Sequence, residues 1–202
     1  AGSLLLSGDS TYRGATSVNG GLLAVNGSLT SAVSVNDSGT LGGSGRIGAL
    51  SVNNGGTVAP GKSVGTLQVA GDVNLGAGST YAVELTPTSS DRIVAGGKAV
   101  LDGGTVTLAL ENSPTLLSQS QAQSLIGRQY TILQAAGGIQ GQFGQVLPHY
   151  LFLGGTLDYA ANGVQFDVGR NHATFARVAA NRNQRAVAAA AGGRRHLAGR
   201  HA

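Results

Sequence analysis

The tripeptide Ser-Val-Asn recurs at a fixed spacing. Ser17-Val18-Asn19, Ser34-Val35-Asn36 and Ser51-Val52-Asn53 each follow the last by 17 residues. Each copy runs into a Gly-rich turn and a short apolar stretch: Gly20-Gly21-Leu22-Leu23, Gly39-Thr40-Leu41 and Gly55-Gly56-Thr57-Val58. One more step of 17 reaches Gln68-Val69-Ala70-Gly71, which reads as a degenerate fourth copy. A short fixed period means that each unit buries its apolar face by stacking on its neighbour. The unit is too short for a helix-turn-helix repeat. It suffices for about three short strands joined by turns, one coil of a parallel β-helix, with coils stacked about 4.8 Å apart.

The punctuation between repeats agrees. Asn26-Gly27, Gly42-Gly43-Ser44-Gly45 and Asn53-Asn54-Gly55-Gly56 are residues that tolerate the positive φ of sharp corners. Glycine supplies 34 of the 202 residues, while charged residues make up 11% and aromatics 4%. That balance suits many short strands better than packed helices. Alternation places Tyr81, Val83 and Leu85 on one strand face with Glu84 opposite, and Val106, Leu108 and Leu110 on another face. No apolar run is long enough for a transmembrane helix. The chain begins at Ala1 without a methionine, so it is expected to be a processed or excised piece. Without cysteine there is no disulfide framework and no thiolate metal site.

From about residue 86 the character changes. Pro87-Thr88-Ser89-Ser90-Asp91 reads as a turn, and Ser113–Gly127 as a polar insertion with helical tendency around Gln119–Leu125. Seven aromatics then cluster: Tyr130, Phe143, Tyr150, Phe152, Tyr159, Phe166 and Phe175. A stack built from Val and Leu needs its open end closed, and large side chains do this well. Residues 72–170 therefore read as a C-terminal cap. Its closing hairpin is Leu157-Asp158-Tyr159 with Val164-Gln165-Phe166-Asp167-Val168, around Asn162-Gly163. Residues 171–191 switch to helical spacing behind an N-cap at Asn171, with Arg177, Arg182 and Arg185 on an alanine-rich segment that ends at Gly192-Gly193. The charge divides at the same point. Residues 1–170 hold seven Lys/Arg against nine Asp/Glu, a net −2, whereas 171–202 hold six Arg and no acid. The basic balance belongs to the tail.

Several motifs point to chemistry and are answered by their context. Gly56-x-x-x-x-Gly61-Lys62-Ser63 matches the phosphate-binding P-loop, which requires a helix to begin at the Lys-Ser. The residues after Ser63 in this chain, Val64-Gly65-Thr66-Leu67-Gln68-Val69, are strand-and-turn sequence. Gly61-Lys62-Ser63-Val64-Gly65 also matches a nucleophile elbow, with Asp91 and His149 as formal partners, but that motif too demands a strand-to-helix turn. His149, His172, His196 and His201 show no metal-ligand spacing. Asp9, Asp37, Asp72, Asp91 and Asp102 lie in turn sequences, where Asp bonds local backbone. Glu84 and Glu111 have no evident carboxylate partner for glycosidase work. Asn26-Gly27-Ser28 and Asn36-Asp37-Ser38 match the glycosylation sequon but read as turns. The basic helix could meet nucleic acid or a membrane surface, yet it lacks interleaved lysines and aromatics. No catalytic, cofactor-binding or metal-binding residue is assigned.

In order along the chain, these features resemble the C-terminal part of a bacterial type V autotransporter passenger. The run from Leu6-Ser7-Gly8-Asp9-Ser10-Thr11 to Val25-Asn26-Gly27 looks like the passenger-associated transport repeat. So does Gly39-Thr40-Leu41-Gly42-Gly43-Ser44-Gly45 with Gly56-Thr57-Val58-Ala59-Pro60-Gly61. Tyr130-Thr131-Ile132-Leu133-Gln134-Ala135, with Ile139-x-Gly141-x-Phe143, is similar to the autochaperone region. Asn181-Arg182-Asn183-Gln184-Arg185-Ala186-Val187-Ala188 is similar to the helix before the translocator barrel, notably in subtilisin-like autotransporters. The resemblance covers residues 1–190, and Ala189–Ala202 departs from a barrel entry. It implies a passenger that crosses the periplasm and outer membrane unfolded and then folds at the cell surface or is secreted. Its partners would be its own upstream passenger and its own translocator barrel, with no nucleic acid and no small-molecule substrate.

The expected fold is all-β: a right-handed parallel β-helix (solenoid) over 1–71, a C-terminal β cap and autochaperone region over 72–170, and a short basic α-helix with a tail over 171–202. The expected role is a non-enzymatic stem whose cap promotes folding and secretion of the passenger, without cofactors. Two rivals remain. One is a surface adhesin module binding a host ligand, which a row of exposed aromatic or basic side chains would favour. The other is the stem of a secreted subtilisin-like protease whose catalytic domain lies upstream of Ala1.

Overall fold

The computed structural model describes residues 2–111, 119–148 and 153–170, which are almost wholly β. The first pass of the chain comprises β1 (Ser3–Leu6), β2 (Asp9–Ser10) and β3 (Thr16–Val18). The second comprises β4 (Gly21–Val25) and β5 (Ser28–Val35), and the third β6 (Gly39–Gly43) and β7 (Arg46–Val52). Three passes of three strands come next. They are β8 (Thr57–Pro60), β9 (Thr66–Val69) and β10 (Val73–Leu75), then β11 (Thr80–Leu85), β12 (Arg92–Ala95) and β13 (Ala99–Asp102), then β14 (Thr105–Leu110), β15 (Gln129–Ala135) and β16 (Ile139–Gln142). Between β14 and β15 lies the helix α1 (Gln119–Leu125), at the place of the expected helical tendency. After β17 (Gln145–Pro148), β18 (Leu153–Ala160) and β19 (Gly163–Arg170) end the described chain.

Each pass contributes one strand to a seven-stranded sheet ordered β1-β4-β6-β8-β11-β14-β17, and the rest to a twelve-stranded sheet. Every ladder is parallel except the two made by β19, with β15 and with β18. The apolar alternation of the sequence becomes columns of like residues. Val18, Val35, Val52, Leu75 and Leu101 are successive partners in one column. Leu23, Leu41, Val58, Tyr81, Val106 and Val146 form another. From Val18 to Val106 these side chains are buried, and the two sheets nearly close around one core. Removing each such side chain from water contributes about 1.5–3 kcal/mol.

The three Ser-Val-Asn copies do lie in register, because Ser17, Ser34 and Ser51 are partners and so are the valines. The fourth copy is a correction. Val69 pairs with Ile47, and the partner of Val52 is Leu75, an offset of 23. The cause is a corner insertion. Gly43 pairs with Pro60 and Arg46 with Gln68, so two residues on one strand face seven, Gly61 to Leu67, on the next. The stretch Gly61–Gly65 is the surplus loop. Later passes grow further, with Leu67 pairing Ile93 and Ile93 pairing Leu133, while the core positions keep their register.

The expected basic helix over 171–191 and the tail lie outside the described residues. So do Tyr150, Phe152, Phe175 and all four histidines.

Candidate functional site

The C-terminal end of the stacked sheets gathers the aromatic side chains. Tyr81 occupies a column position filled by Val58 on one side and Val106 on the other, so its ring is forced into the core and is 1% exposed. A buried phenol needs a partner, and the Tyr81 hydroxyl donates to the Ile132 carbonyl oxygen at 2.5 Å. Ile132 lies where β15 shifts register against β19, between the Thr131–Gln165 and Leu133–Val164 pairs. Burial pushes the Tyr81 phenol well above its ordinary value, and the nearby Asp91 charge adds to this, so it remains a neutral donor. The Phe143 ring lies 6.2 Å from that of Tyr81, tilted by 31°.

The closing hairpin takes the expected form. β18 and β19 pair antiparallel over eight positions, from Leu153–Arg170 to Ala160–Gly163. β19 continues onto β15, placing Phe166 opposite Tyr130. The Tyr130 hydroxyl donates to the Thr86 carbonyl oxygen at 2.7 Å, and the Phe143 amide donates to the Tyr159 hydroxyl at 3.0 Å. Tyr159 thus ties the hairpin to Phe143, 16 residues earlier, while Tyr81 and Tyr130 tie β15, the strand on which the hairpin docks, across 51 and 44 residues.

Asp91 is a second buried polar anchor, 1% exposed. Its two carboxyl oxygens accept from the Gly65 and Glu84 amides, each at 2.8 Å, clamping the surplus loop to β11. Burial raises the Asp91 carboxyl from its ordinary 3.8 to about 7. The two amides oppose the rise, and the charges of Glu84 and Glu111 add to it. Glu84 is also raised, by burial first and then by Glu111. A cleft of about 200 Å³ opens beside them, lined by Ala59, Gly61, Lys62, Ala82, Glu84 and Asp91 among others.

The P-loop stretch is not a phosphate cradle in this fold. Gly61 leaves β8, Lys62 and Ser63 are exposed loop residues, and β9 begins at Thr66, so no helix offers its amides. The elbow pattern fails for the same reason, and both oxygens of its formal partner Asp91 are already bonded to backbone. Two expectations for the acids need correction. Two of the turn aspartates bond across passes rather than locally: Asp72 accepts from the Lys98 amide at 2.9 Å and Asp9 from the Ser28 hydroxyl at 2.8 Å. Stacking also brings Glu84 and Glu111, read as unpartnered, within electrostatic reach of each other and of Asp91. Among the described residues no cluster of His, Asp or Glu could hold a metal ion. The central role of Tyr81 is not evident from the sequence. Its one signal there is an aromatic in a column of Val and Leu.

No protein-family model matches the chain. It is similar to two proteins of Serratia marcescens, each named extracellular serine protease. One is 44% identical over 190 residues and the other 37% identical over 191 residues. Each match takes in 94% of this chain but only 18% of the relative, so the chain spans less than a fifth of the length of the curated relatives it matches.

Proposed function

We propose that this chain is a non-enzymatic stem of a longer, secreted serine protease of the autotransporter type, whose catalytic domain lies elsewhere in the polypeptide. In this reading residues 1–71 form the coils of a parallel β-helix and residues 72–170 an autochaperone cap. The cap folds first and templates the coils stacked on it, outside the bacterial outer membrane. The carrying observation is the unlike finish of the two ends of the stack. At one end β19 turns antiparallel, and Tyr81, Tyr130, Phe143 and Tyr159 close the core. At the other, Leu4 is in register with core residue Leu23 and is nevertheless 57% exposed. The similarity to proteins named extracellular serine proteases, over so small a share of their length, supports placing this chain outside the catalytic part.

The physics favours growth from the closed end. Starting such a stack incurs a loop-closure cost before any pairing returns it, whereas adding a pass to a formed edge is local. Folding and unfolding kinetics of the full chain test the proposal. Phe143→Ala should slow folding, because its contacts form in the nucleus. Leu23→Ala should mainly speed unfolding. The reverse assignment would remove the templating role from residues 72–170.

A further inference from the structure

The sequence holds four Asn-Gly pairs, at Asn19, Asn26, Asn54 and Asn162. Asparagine before glycine is the thermolabile arrangement, since the unhindered glycine nitrogen can attack the neighbouring side-chain amide. The fold treats the four unequally. The Gly27 amide donates to Leu6 O at 3.2 Å, and the Gly55 amide donates to Gly78 O at 3.0 Å. Gly163 opens β19 and is paired on both sides, to Ala160 and Gln134, while Asn162 Nδ2 donates to Ala136 O at 3.1 Å. In those three pairs the nucleophile or the leaving group is occupied.

Asn19-Gly20 differs in its glycine amide and in its leaving group. Both residues are exposed, Gly20 lies between β3 and β4, and its amide has no hydrogen-bond partner among the described residues. The Asn19 side chain is the end of an amide row. Asn53 Nδ2 donates to Asn36 Oδ1 at 2.7 Å, and Asn36 Nδ2 donates to Asn19 Oδ1 at 2.6 Å. The donor on Asn19 Oδ1 polarises its carbonyl and faces the oxygen on which negative charge would develop. Asn19 Nδ2 has no acceptor among the described residues and is free to leave.

We propose that Asn19-Gly20 is a site of spontaneous modification, where the native amide row activates succinimide formation. A water-derived base removes the Gly20 amide proton, and the nitrogen attacks Asn19 Cγ. The new C–N bond forms as the Cγ–Nδ2 bond breaks, and ammonia leaves with a proton from water. Water then opens the imide at either carbonyl, giving aspartate or isoaspartate at position 19. The aspartate product can still accept from Asn36 and puts a negative charge at the end of the row. The isoaspartate product lengthens the backbone at the edge of β3.

Peptide mapping by mass spectrometry, on the intact chain held in mildly alkaline buffer, tests this. In the folded chain Asn19 should convert at least about tenfold faster than Asn26, Asn54 or Asn162, a smaller gain than buried oxyanion donors give because the site is wet. In urea the four rates should converge. Equal rates in the folded chain, or an unchanged disparity in urea, would overturn the proposal. Asn36→Ala should slow conversion at Asn19 several-fold, and an unaltered rate would remove the activating role of the row. Gly20→Ala keeps the row and its Cβ meets open space, but the Gly20 φ of +158° is one that L side chains rarely adopt, so its native fold is verified by circular dichroism before mapping. The substitution should slow conversion about tenfold by crowding ring closure, and undiminished conversion would exclude the succinimide route.

Discussion

The hydroxyl of Tyr81 donates to the main-chain oxygen of Ile132 across 51 residues of sequence, inside a core built mostly of aliphatic columns. The bond joins β11 to the strand on which the final hairpin docks. It is therefore a direct gauge of how far the aromatic end of the stack supports the fold.

Tyr81→Phe keeps the ring and deletes only this bond. The expected loss is about 0.5–1.5 kcal/mol. Tyr81→Ala also removes the ring packed near Phe143 and should cost about 3–5 kcal/mol. Urea unfolding of both variants checks this. A Phe variant as stable as the parent would mean that the bond contributes nothing net.

The Asp91 carboxyl ties stability to pH. Its folded value, about 7, lies above its ordinary 3.8. A raised group stabilises fully below the unfolded value, and that contribution is lost as pH rises through the folded one. The urea midpoint should therefore fall as pH rises from about 4 to about 7 and level off above that. Each unit of difference is worth about 1.36 kcal/mol. Glu84, shifted in the same direction, adds to the slope. Asp91→Asn forfeits one of the two amide bonds and should lower stability in acid, but its midpoint should be flatter across the range. A parent midpoint that rises with pH would contradict this.

What was legible in the sequence was whatever repeats locally. Ser17, Ser34 and Ser51 mark true register because the irregularities between those passes, such as the shift between Leu29 and Ala32, cancel before the tripeptide is reached. The hairpin was visible because Asn162-Gly163 lies between two alternating strands, and α1 because its polar segment stands apart from strand sequence. The fourth copy failed because periodicity cannot reveal that Gly61–Gly65 is surplus to a corner. Asp91 failed for a related reason: its partner Gly65 is 26 residues away, and only the stacking makes them neighbours.

The surplus loop should be the first point of proteolytic attack. Lys62 and Lys98 are the two lysines, and both are exposed. The Lys98 backbone is pinned on both sides, its amide to Asp72 Oδ1 and its carbonyl to the Val73 amide, each at 2.9 Å. Lys62 lies in the loop between β8 and β9, without a backbone hydrogen bond among the described residues. Cleavage needs local opening, and the less bonded segment opens at lower cost. A lysine-specific protease under native conditions should therefore cut after Lys62 well before Lys98. First cleavage at Lys98 would show that the Asp91 clamp holds the loop more firmly than the ladder holds β13.

Close stacking makes a sharper demand at Gly43, in β6. Its φ is +100°, and a Cβ there would collide with the carbonyl oxygen of Val25 on the neighbouring pass. Gly103 has a similar left-handed φ, +76°, but a Cβ there meets open space. The two positions separate backbone strain from crowding. Gly103→Ala incurs only the left-handed penalty, about 1–2 kcal/mol. Gly43→Ala incurs that penalty and must also push apart two paired strands, β4 and β6, whose separation their hydrogen bonds fix at about 4.8 Å. Its urea midpoint should fall clearly further than that of Gly103→Ala. Equal losses would mean that adjacent passes can part without cost at this corner, which parallel pairing on both sides of β6 should prevent.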